Sequence, residues 1–191
     1  SATRVVIATN ALVAASLVRN TDHNLASELG SIAYPPIATI VSMYRREHVR
    51  HPLDGFGCLV PEVEKRKILG IIFSSSLFPN RAPEGMVSVT TMIGGARQPD
   101  LASLRDAELS TIIDDEHRSL LGISHSAVSI DITRWSAAIP QYDLNHARML
   151  ATIETAERNH HGLYLAGNYR GGVSIGDCVR SAHTIAERIS S

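Results

Sequence analysis

The sequence predicts an α/β (α+β) fold in two domains, and three observations lead to this prediction. The chain opens with an apolar strand followed by a helix-like run, and it closes with a strand, a glycine-rich turn and a helix. Between these ends lies a stretch dominated by β-branched and apolar strands. Because the two ends share the same strand–helix pattern, they are expected to form one domain and the middle another.

Local patterns define the elements of the first half. Residues 5–8 are an apolar strand and residues 11–18 a helix-like run, followed by a polar turn over 20–24. Tyr34-Pro35-Pro36 marks the entry into the sheet-rich middle, because proline cannot donate to a strand ladder. Strands are then predicted by their β-branched and apolar composition at 37–44, 57–60, 67–73 and 86–93.

The second half begins with a predicted helix over 101–121, where leucine and isoleucine recur on one face. Asp100 or Ser103 is expected to cap its start and Gly122 its end. Residues 127–132 alternate as a strand, and residues 146–158 form a further helix that stops before Gly162.

The segment 162–189 carries the strongest functional pattern. A strand over 163–166 enters the glycine-rich turn 167–172, and a helix is predicted from about Val173. The apolar residues of this helix are expected to share one face, namely Ile175, Val179, Ala182, Ala186 and Ile189. Free N–H groups in its first turn, beside a bare glycine surface, favour an anion or an electron-rich ring edge.

This segment, at residues 167–178, resembles the second flavin-contacting segment of the amine-oxidase-type FAD enzymes. The sequence of this segment is most similar to that of the oxygen-dependent protoporphyrinogen oxidases. Other stretches resemble the same family in the same order, at 34–39, 51–61, 68–70, 74–79, 81–85, 93–97 and 134–142. Together they cover nearly the whole chain, which makes the match specific.

The resemblance implies an FAD cofactor held by these residues: Trp135, Gly167, Asn168, Gly172, Val173, Ser174 and Ile175. Without the family resemblance, Trp135 has two interpretations, a flavin neighbour or a core aromatic. Asn168 also has two, a polar contact to ribityl or phosphate oxygens or a residue that tolerates the left-handed backbone conformation. For the pair Gly171-Gly172, the alternative to a flavin contact is a tight turn with positive φ. Arg170 is expected to face solvent, and Asp177 to stabilise the helix dipole.

The resemblance also divides the chain into an FAD-domain segment over 1–31, a substrate-binding domain over 32–150 on a mixed sheet, and a C-terminal FAD-domain segment over 151–191. The family oxidises protoporphyrinogen IX to protoporphyrin IX by hydride transfer to the flavin, with O2 as acceptor, in haem and chlorophyll biosynthesis. The cofactor does the redox work, and no catalytic residue is assigned.

A GxGxxG turn, which holds the FAD pyrophosphate in this family, does not occur in the sequence. Because the first residue is also Ser1, the chain is expected to be a C-terminal fragment that is inactive alone. One alternative is a coproporphyrinogen III oxidase or another amine-oxidase-like flavoenzyme. An alternative from another class is a binding module without catalysis.

The composition of the chain argues against several classes of function. The 191 residues are 44% hydrophobic with a net charge of -1, which indicates a globular protein and argues against nucleic-acid binding. The nine histidines show no metal-ligand motif, and two distant cysteines, Cys58 and Cys178, suit a reducing compartment. No apolar run is long enough to span a membrane. A cytoplasmic location is therefore expected, with peripheral membrane contact and a homodimer left open.

Overall fold

In a computed structural model that describes residues 2–190, the chain forms two compact units. The first unit holds residues up to 34 and from 139 onward, and the second holds residues 35–138. The predicted α/β class is confirmed, because each unit combines helices with strands. The strands are β1 Val5–Ile7, β2 Ile37–Arg45, β3 Gly57–Leu59, β4 Gly70–Ile72, β5 Met86–Gly94, β6 Ser129–Trp135 and β7 Leu163–Leu165. The helices are α1 Ala11–Val18, α2 His23–Gly30, α3 Ser74–Leu77, α4 Asp106–Leu121, α5 His146–Asn159 and α6 Ile175–Ser190.

The first unit is built on the parallel pair β1 and β7. Val5 lies opposite Leu163 and Ile7 opposite Leu165. Beyond the pair, the Ala166 N–H donates to the carbonyl of Ile7 at 2.9 Å. The expectation that the first and last strands of the chain share one sheet is therefore confirmed.

Helices α1, α2 and α5 enclose the core of this unit. From α5, Met149, Ile153 and Ala156 contribute buried side chains that recur at helical spacing. Because α5 belongs to this core, the compact unit begins after residue 138, whereas the predicted boundary after residue 150 falls inside the helix. The assignment of the two units to FAD and substrate remains a prediction.

Short polar side chains set where α1 and α2 begin. The Asn10 side chain accepts from the Val13 N–H at 2.9 Å, and Asp22 accepts from the Leu25 N–H at 2.9 Å. Each bond satisfies a donor that has no partner within the helix. The polar turn predicted over 20–24 is consequently shorter than expected, since α2 starts at His23.

The second unit contains a five-stranded sheet in the order β3-β4-β5-β2-β6, and all of its described pairs are antiparallel. Strands β2 and β5 lie at its centre. Alternate residues of β2 point into the core and are almost fully buried, namely Ala38, Ile40, Ser42 and Tyr44. This period of two is what a half-buried strand requires.

Helix α4 begins later than its leucine pattern predicted. A 3-10 helix spans Pro99–Ser103, Leu104 is extended, and α4 starts at Asp106. The expected caps Asp100 and Ser103 are wrong, because the Glu108 carboxylate instead accepts the Arg105 N–H at 3.1 Å. The predicted end is confirmed, since Gly122 has φ 62 and adopts the left-handed conformation.

A buried histidine joins α4 to the two central strands. His117 shares the buried face of α4 with Leu109 and Ile113, and it is 0% exposed. Its Nδ1 lies 2.7 Å from the Tyr44 hydroxyl, and its Nε2 lies 2.7 Å from Thr91 Oγ1. Burial lowers the pKa of His117 to about 4, so the ring is neutral near pH 7.

Candidate functional site

Strand β7 leads directly into the glycine-rich turn 167–172, and α6 follows. Gly167 and Gly172 adopt φ values of +151 and +127, which side chains rarely tolerate. A Cβ on Gly167 would lie 2.6 Å from the Tyr169 ring, and one on Gly172 would lie 2.4 Å from the Asp177 carboxylate. Both positions therefore require glycine for conformation and for space.

The middle of the turn is anchored in the core of the first unit. Tyr169 is 0% exposed and packs in the same cluster as Leu165 and Ile153. Burial raises the pKa of its hydroxyl, which has no hydrogen-bond partner among residues 2–190. Leaving this polar group without a partner costs free energy, so the aromatic ring is what anchors the turn.

Arg170 does not face solvent, which corrects the sequence prediction. Its side chain is 15% exposed and forms a bidentate ion pair with Glu157 of α5. It also donates to the Leu165 carbonyl at 2.7 Å. A planar guanidinium suits this arrangement, because its donors match the two carboxylate oxygens.

Glu157 connects the elements that meet at the turn. Its carboxylate accepts from Arg170, from the Leu165 N–H at 2.9 Å, and from Arg188 of α6 at 2.9 Å. Burial alone would raise its pKa, but these hydrogen bonds outweigh burial and lower the pKa. A single carboxylate therefore holds β7, the turn and α6 in one arrangement.

The N-terminus of α6 is partly capped by its own residues. Ser174 Oγ donates to the Asp177 carboxylate at 2.6 Å and accepts the Asp177 N–H at 3.0 Å. The Ser174 N–H also points to this carboxylate, at 3.3 Å, and the Ser174 hydroxyl is the main reason that the pKa of Asp177 is lowered. Within residues 2–190, the N–H groups of Val173, Ile175 and Gly176 have no hydrogen-bond partner.

The apolar stripe predicted for α6 is not a buried face. Ile175 is 85% exposed and Val179 is 65% exposed, whereas Ile185 is the buried residue of this helix. The periodicity correctly indicated a helix. It did not indicate which face docks, because Arg188 and Glu157 fasten α6 by charge on another side.

Trp135 belongs to the second unit. It ends β6, an edge strand of the second unit, opposite Ile37, and it is 54% exposed. A core role for this ring is therefore wrong. The other predicted residues, Gly167, Asn168, Gly172, Val173, Ser174 and Ile175, are all brought together in the first unit.

Sequence reasoning assigned no role to Tyr142. Its hydroxyl donates to the Asn168 carbonyl at 2.5 Å and accepts the Gly172 N–H at 3.0 Å. Tyr142 closes the family-like stretch 134–142, but that resemblance does not show what its hydroxyl contacts. Glu157 was also missed, and no local pattern marks it, since its partners lie elsewhere in the chain.

The histidine-rich segment after β2 has structural partners. His48 stacks on His125 with ring centroids 3.9 Å apart, and His51 Nδ1 accepts the Leu53 N–H at 2.9 Å. Within residues 2–190, no group of three or more potential ligands is placed to hold a metal ion. In the same part of the chain, no helix is long and apolar enough to cross a membrane.

The turn and the start of α6 fit a flavin edge. Gly172 has no side chain and so leaves room for the Asp177 carboxylate, and within residues 2–190 three N–H groups of the helix N-terminus have no partner and can donate to a ligand. Negative charge on a ligand is favoured there by the helix dipole. The Asp177 carboxylate beside Gly172 already satisfies part of that positive end.

A parallel strand pair that leads into a glycine turn and a helix is typical of nucleotide-binding flavoproteins. Residues 1–190 match the family model described as flavin containing amine oxidoreductase, and the chain belongs to this family. The members of this family contain a flavin, so the family match supports the predicted FAD cofactor at the level of the family.

Curated relatives that are 33–36% identical over most of this chain are named protoporphyrinogen oxidases. The chain is 36% identical to the mitochondrial enzyme of Nicotiana tabacum over 170 residues, covering 87% of this chain and 34% of the relative. It is 34% identical to chloroplastic protoporphyrinogen oxidase 1 of Arabidopsis thaliana, covering 98% of this chain and 37% of the relative. The chain therefore spans about a third of the length of these relatives.

Solved structures confirm the fold. A crystal structure of an Exiguobacterium protein, provisionally assigned as a protoporphyrinogen oxidase, matches with a TM-score of 0.81 at 21% identity. The match covers 97% of this chain and 40% of that one. Cyclohexylamine oxidase from Brevibacterium oxydans matches with a TM-score of 0.66 at 15% identity, over 98% of this chain and 43% of that one.

Proposed function

We propose that this chain supplies the flavin-contacting turn of an FAD-dependent protoporphyrinogen oxidase. The observation that carries the proposal is the turn 167–172 with the open N-terminus of α6, in a chain whose curated relatives are protoporphyrinogen oxidases. The substrate of the whole protein would be protoporphyrinogen IX and its electron acceptor O2.

The roles of individual residues follow from their contacts. We propose that Val173, Ile175 and Gly176 present their N–H groups to the flavin edge, and that Gly172 leaves room for the Asp177 carboxylate at the start of α6. Gly167, Asn168 and Ser174 shape the turn, while Trp135 is retained as a proposed flavin neighbour from the family resemblance alone. Bound flavin would accept hydride from the porphyrinogen, and the chain's own residues would orient and shield the reactants.

The proposal is tested by a chimera in which this chain replaces the matching segment of the Nicotiana tabacum mitochondrial relative. The unmodified relative serves as the control. We expect the purified chimera to carry flavin and to oxidise protoporphyrinogen IX, followed by porphyrin fluorescence. Coproporphyrinogen III is assayed in parallel, and preference for it would reassign the substrate. A folded chimera without flavin would contradict the proposal.

The 191-residue chain by itself is expected to bind FAD weakly or not at all. It contains no GxGxxG turn, and that turn supplies backbone N–H groups to the pyrophosphate. Flavin fluorescence is measured while the chain is titrated into FAD at micromolar concentration. A saturable change with sub-micromolar affinity would show that these residues already form a complete site.

Location and assembly are further proposals. The relatives' names place those proteins in mitochondria and chloroplasts. A mitochondrial or chloroplast location is therefore an alternative to the predicted cytoplasmic location. Peripheral membrane contact and a homodimer are retained as proposals from the family resemblance. Flotation of the chimera with anionic vesicles tests the membrane contact, and light scattering of the chimera tests the homodimer.

A further inference from the structure

We infer that Tyr142 is a positioning residue of the flavin site and acts through its hydroxyl group. This inference rests on the proposed function, because it assigns a residue to the same turn. Tyr142 lies in the loop before α5 within the first unit. Its ring stacks on His146, the first residue of α5, with centroids 3.8 Å apart and planes inclined by 18°.

The Tyr142 hydroxyl bonds to two backbone groups of the turn that are not paired with each other. Within the turn, the Arg170 N–H donates to the Gly167 carbonyl at 3.2 Å. The Asn168 carbonyl and the Gly172 N–H have Tyr142 as their partner instead, at 2.5 Å and 3.0 Å. A phenol can donate and accept at once, so one side chain ties the two ends of the turn together.

This bridge fixes the peptide that precedes the open helix N-terminus. The Gly172 N–H that Tyr142 holds belongs to the peptide directly before the one that carries the Val173 N–H, which has no partner within residues 2–190. Hydrogen-bond donors that are oriented before a ligand arrives bind it more tightly than donors that must be ordered on binding. Tyr142 thus orients the flavin contacts without touching the reacting atoms.

The role is separable from general stability. Tyr142 is 43% exposed and lies outside the buried core of the first unit, so its hydroxyl is not needed to fill that core. Tyr142→Phe keeps the ring on His146 and removes only the bridge. Tyr34→Phe is the matched control, because the Tyr34 hydroxyl accepts the Ala11 N–H at 3.1 Å, which lies outside the turn.

The first measurement uses the 191-residue chain itself. Amide hydrogen exchange of Gly172 is compared in the unmodified chain, in Tyr142→Phe and in Tyr34→Phe. We expect Gly172 to exchange about tenfold faster in Tyr142→Phe only, since the loss of a net hydrogen bond is worth roughly that factor. Unchanged exchange at Gly172 in Tyr142→Phe would overturn the inference.

The second measurement uses the flavin-loaded chimera. Tyr142→Phe is expected to weaken FAD binding about tenfold and to shift the visible flavin spectrum, with a melting temperature that matches Tyr34→Phe. Equal flavin loss in both variants would show a structural role and overturn the inference. Full affinity in Tyr142→Phe would overturn it while leaving the proposed function intact. An unmodified chimera that binds no flavin would instead remove the proposed function.

Discussion

Gly172→Val in the chimera is expected to eliminate most flavin binding, whereas Gly171→Val leaves it largely intact. Gly172 has φ +127, a conformation that valine resists, and holding a residue in such a region costs about 1–3 kcal/mol. If the turn relieves this strain by moving, flavin affinity falls by about 5- to 150-fold from strain alone.

A steric collision adds to the effect of this strain. A Cβ on Gly172 would lie 2.4 Å from the Asp177 carboxylate, which is held by Ser174. Moving Asp177 would break that capping bond at the start of α6. By contrast, a Cβ on Gly171 meets its nearest atom, the Cβ of Ser181, at 3.9 Å, and Gly171 is not among the glycines with positive φ. Two neighbouring glycines therefore form a matched pair.

Flavin content is read from the ratio of flavin to protein absorbance in the purified variants. Asp177→Asn is included because it keeps the shape of the side chain while removing its charge. We expect it to retain more flavin than Gly172→Val. Full occupancy in Gly172→Val with loss in Asp177→Asn would show that Asp177, and not the glycine surface, holds the cofactor.

The second unit is expected to lose about 3 kcal/mol of unfolding free energy between pH 6.5 and about pH 4, through His117. Burial lowers the pKa of this histidine from 6.5 in the unfolded chain to about 4 in the folded chain. Between these values the unfolded state binds a proton that the folded state does not. The contribution is therefore fully present above pH 6.5 and is lost as the pH falls toward 4.

Trp135 makes this prediction measurable. It is the only tryptophan of the chain and lies on β6 of the second unit, so its fluorescence follows the unfolding of that unit. Urea unfolding is measured from pH 4.5 to pH 7 in three proteins: the unmodified chain, His117→Gln and His125→Gln. Glutamine can bond to Tyr44 and Thr91 but does not titrate in this range.

The expected slope is about 1.4 kcal/mol per pH unit below pH 6 in the unmodified chain. His117→Gln should lose this slope. His125→Gln should keep it, because His125 is exposed and bonds to Ser124. An unmodified chain whose stability does not change over this range would contradict the assignment of a neutral, buried His117.

Local periodicity predicted most of the elements, because each element shows its own pattern. The pairing of β1 with β7 also followed, since two strand–helix segments need a common sheet. The start of α4 was missed because the leucine spacing continues through the 3-10 helix at Pro99–Ser103, where side chains still recur at similar intervals. The predicted boundary after residue 150 divided α5 between two segments, because the apolar face of a helix does not show which core it packs against.

The glycine turn itself was recognisable from sequence, but its supports were not. Arg170 looked solvent-exposed because its partner Glu157 lies on another element. The Tyr142 bridge likewise joins distant parts of the chain. The apolar stripe of α6 shows the same limit, because a pattern identifies a face but not what packs against it. Contacts that depend on tertiary folding leave no local signal.

The central claim is that the open N-terminus of α6 contacts the flavin. Amide hydrogen exchange in the chimera, with and without FAD, tests it most directly. We expect FAD to slow exchange at Ile175 and Gly176, whose N–H groups have no partner among the described residues 2–190, and to change Gly172 little, because Tyr142 already holds its N–H. Bound FAD with no change at Ile175 and Gly176 would contradict the claim and place the flavin elsewhere.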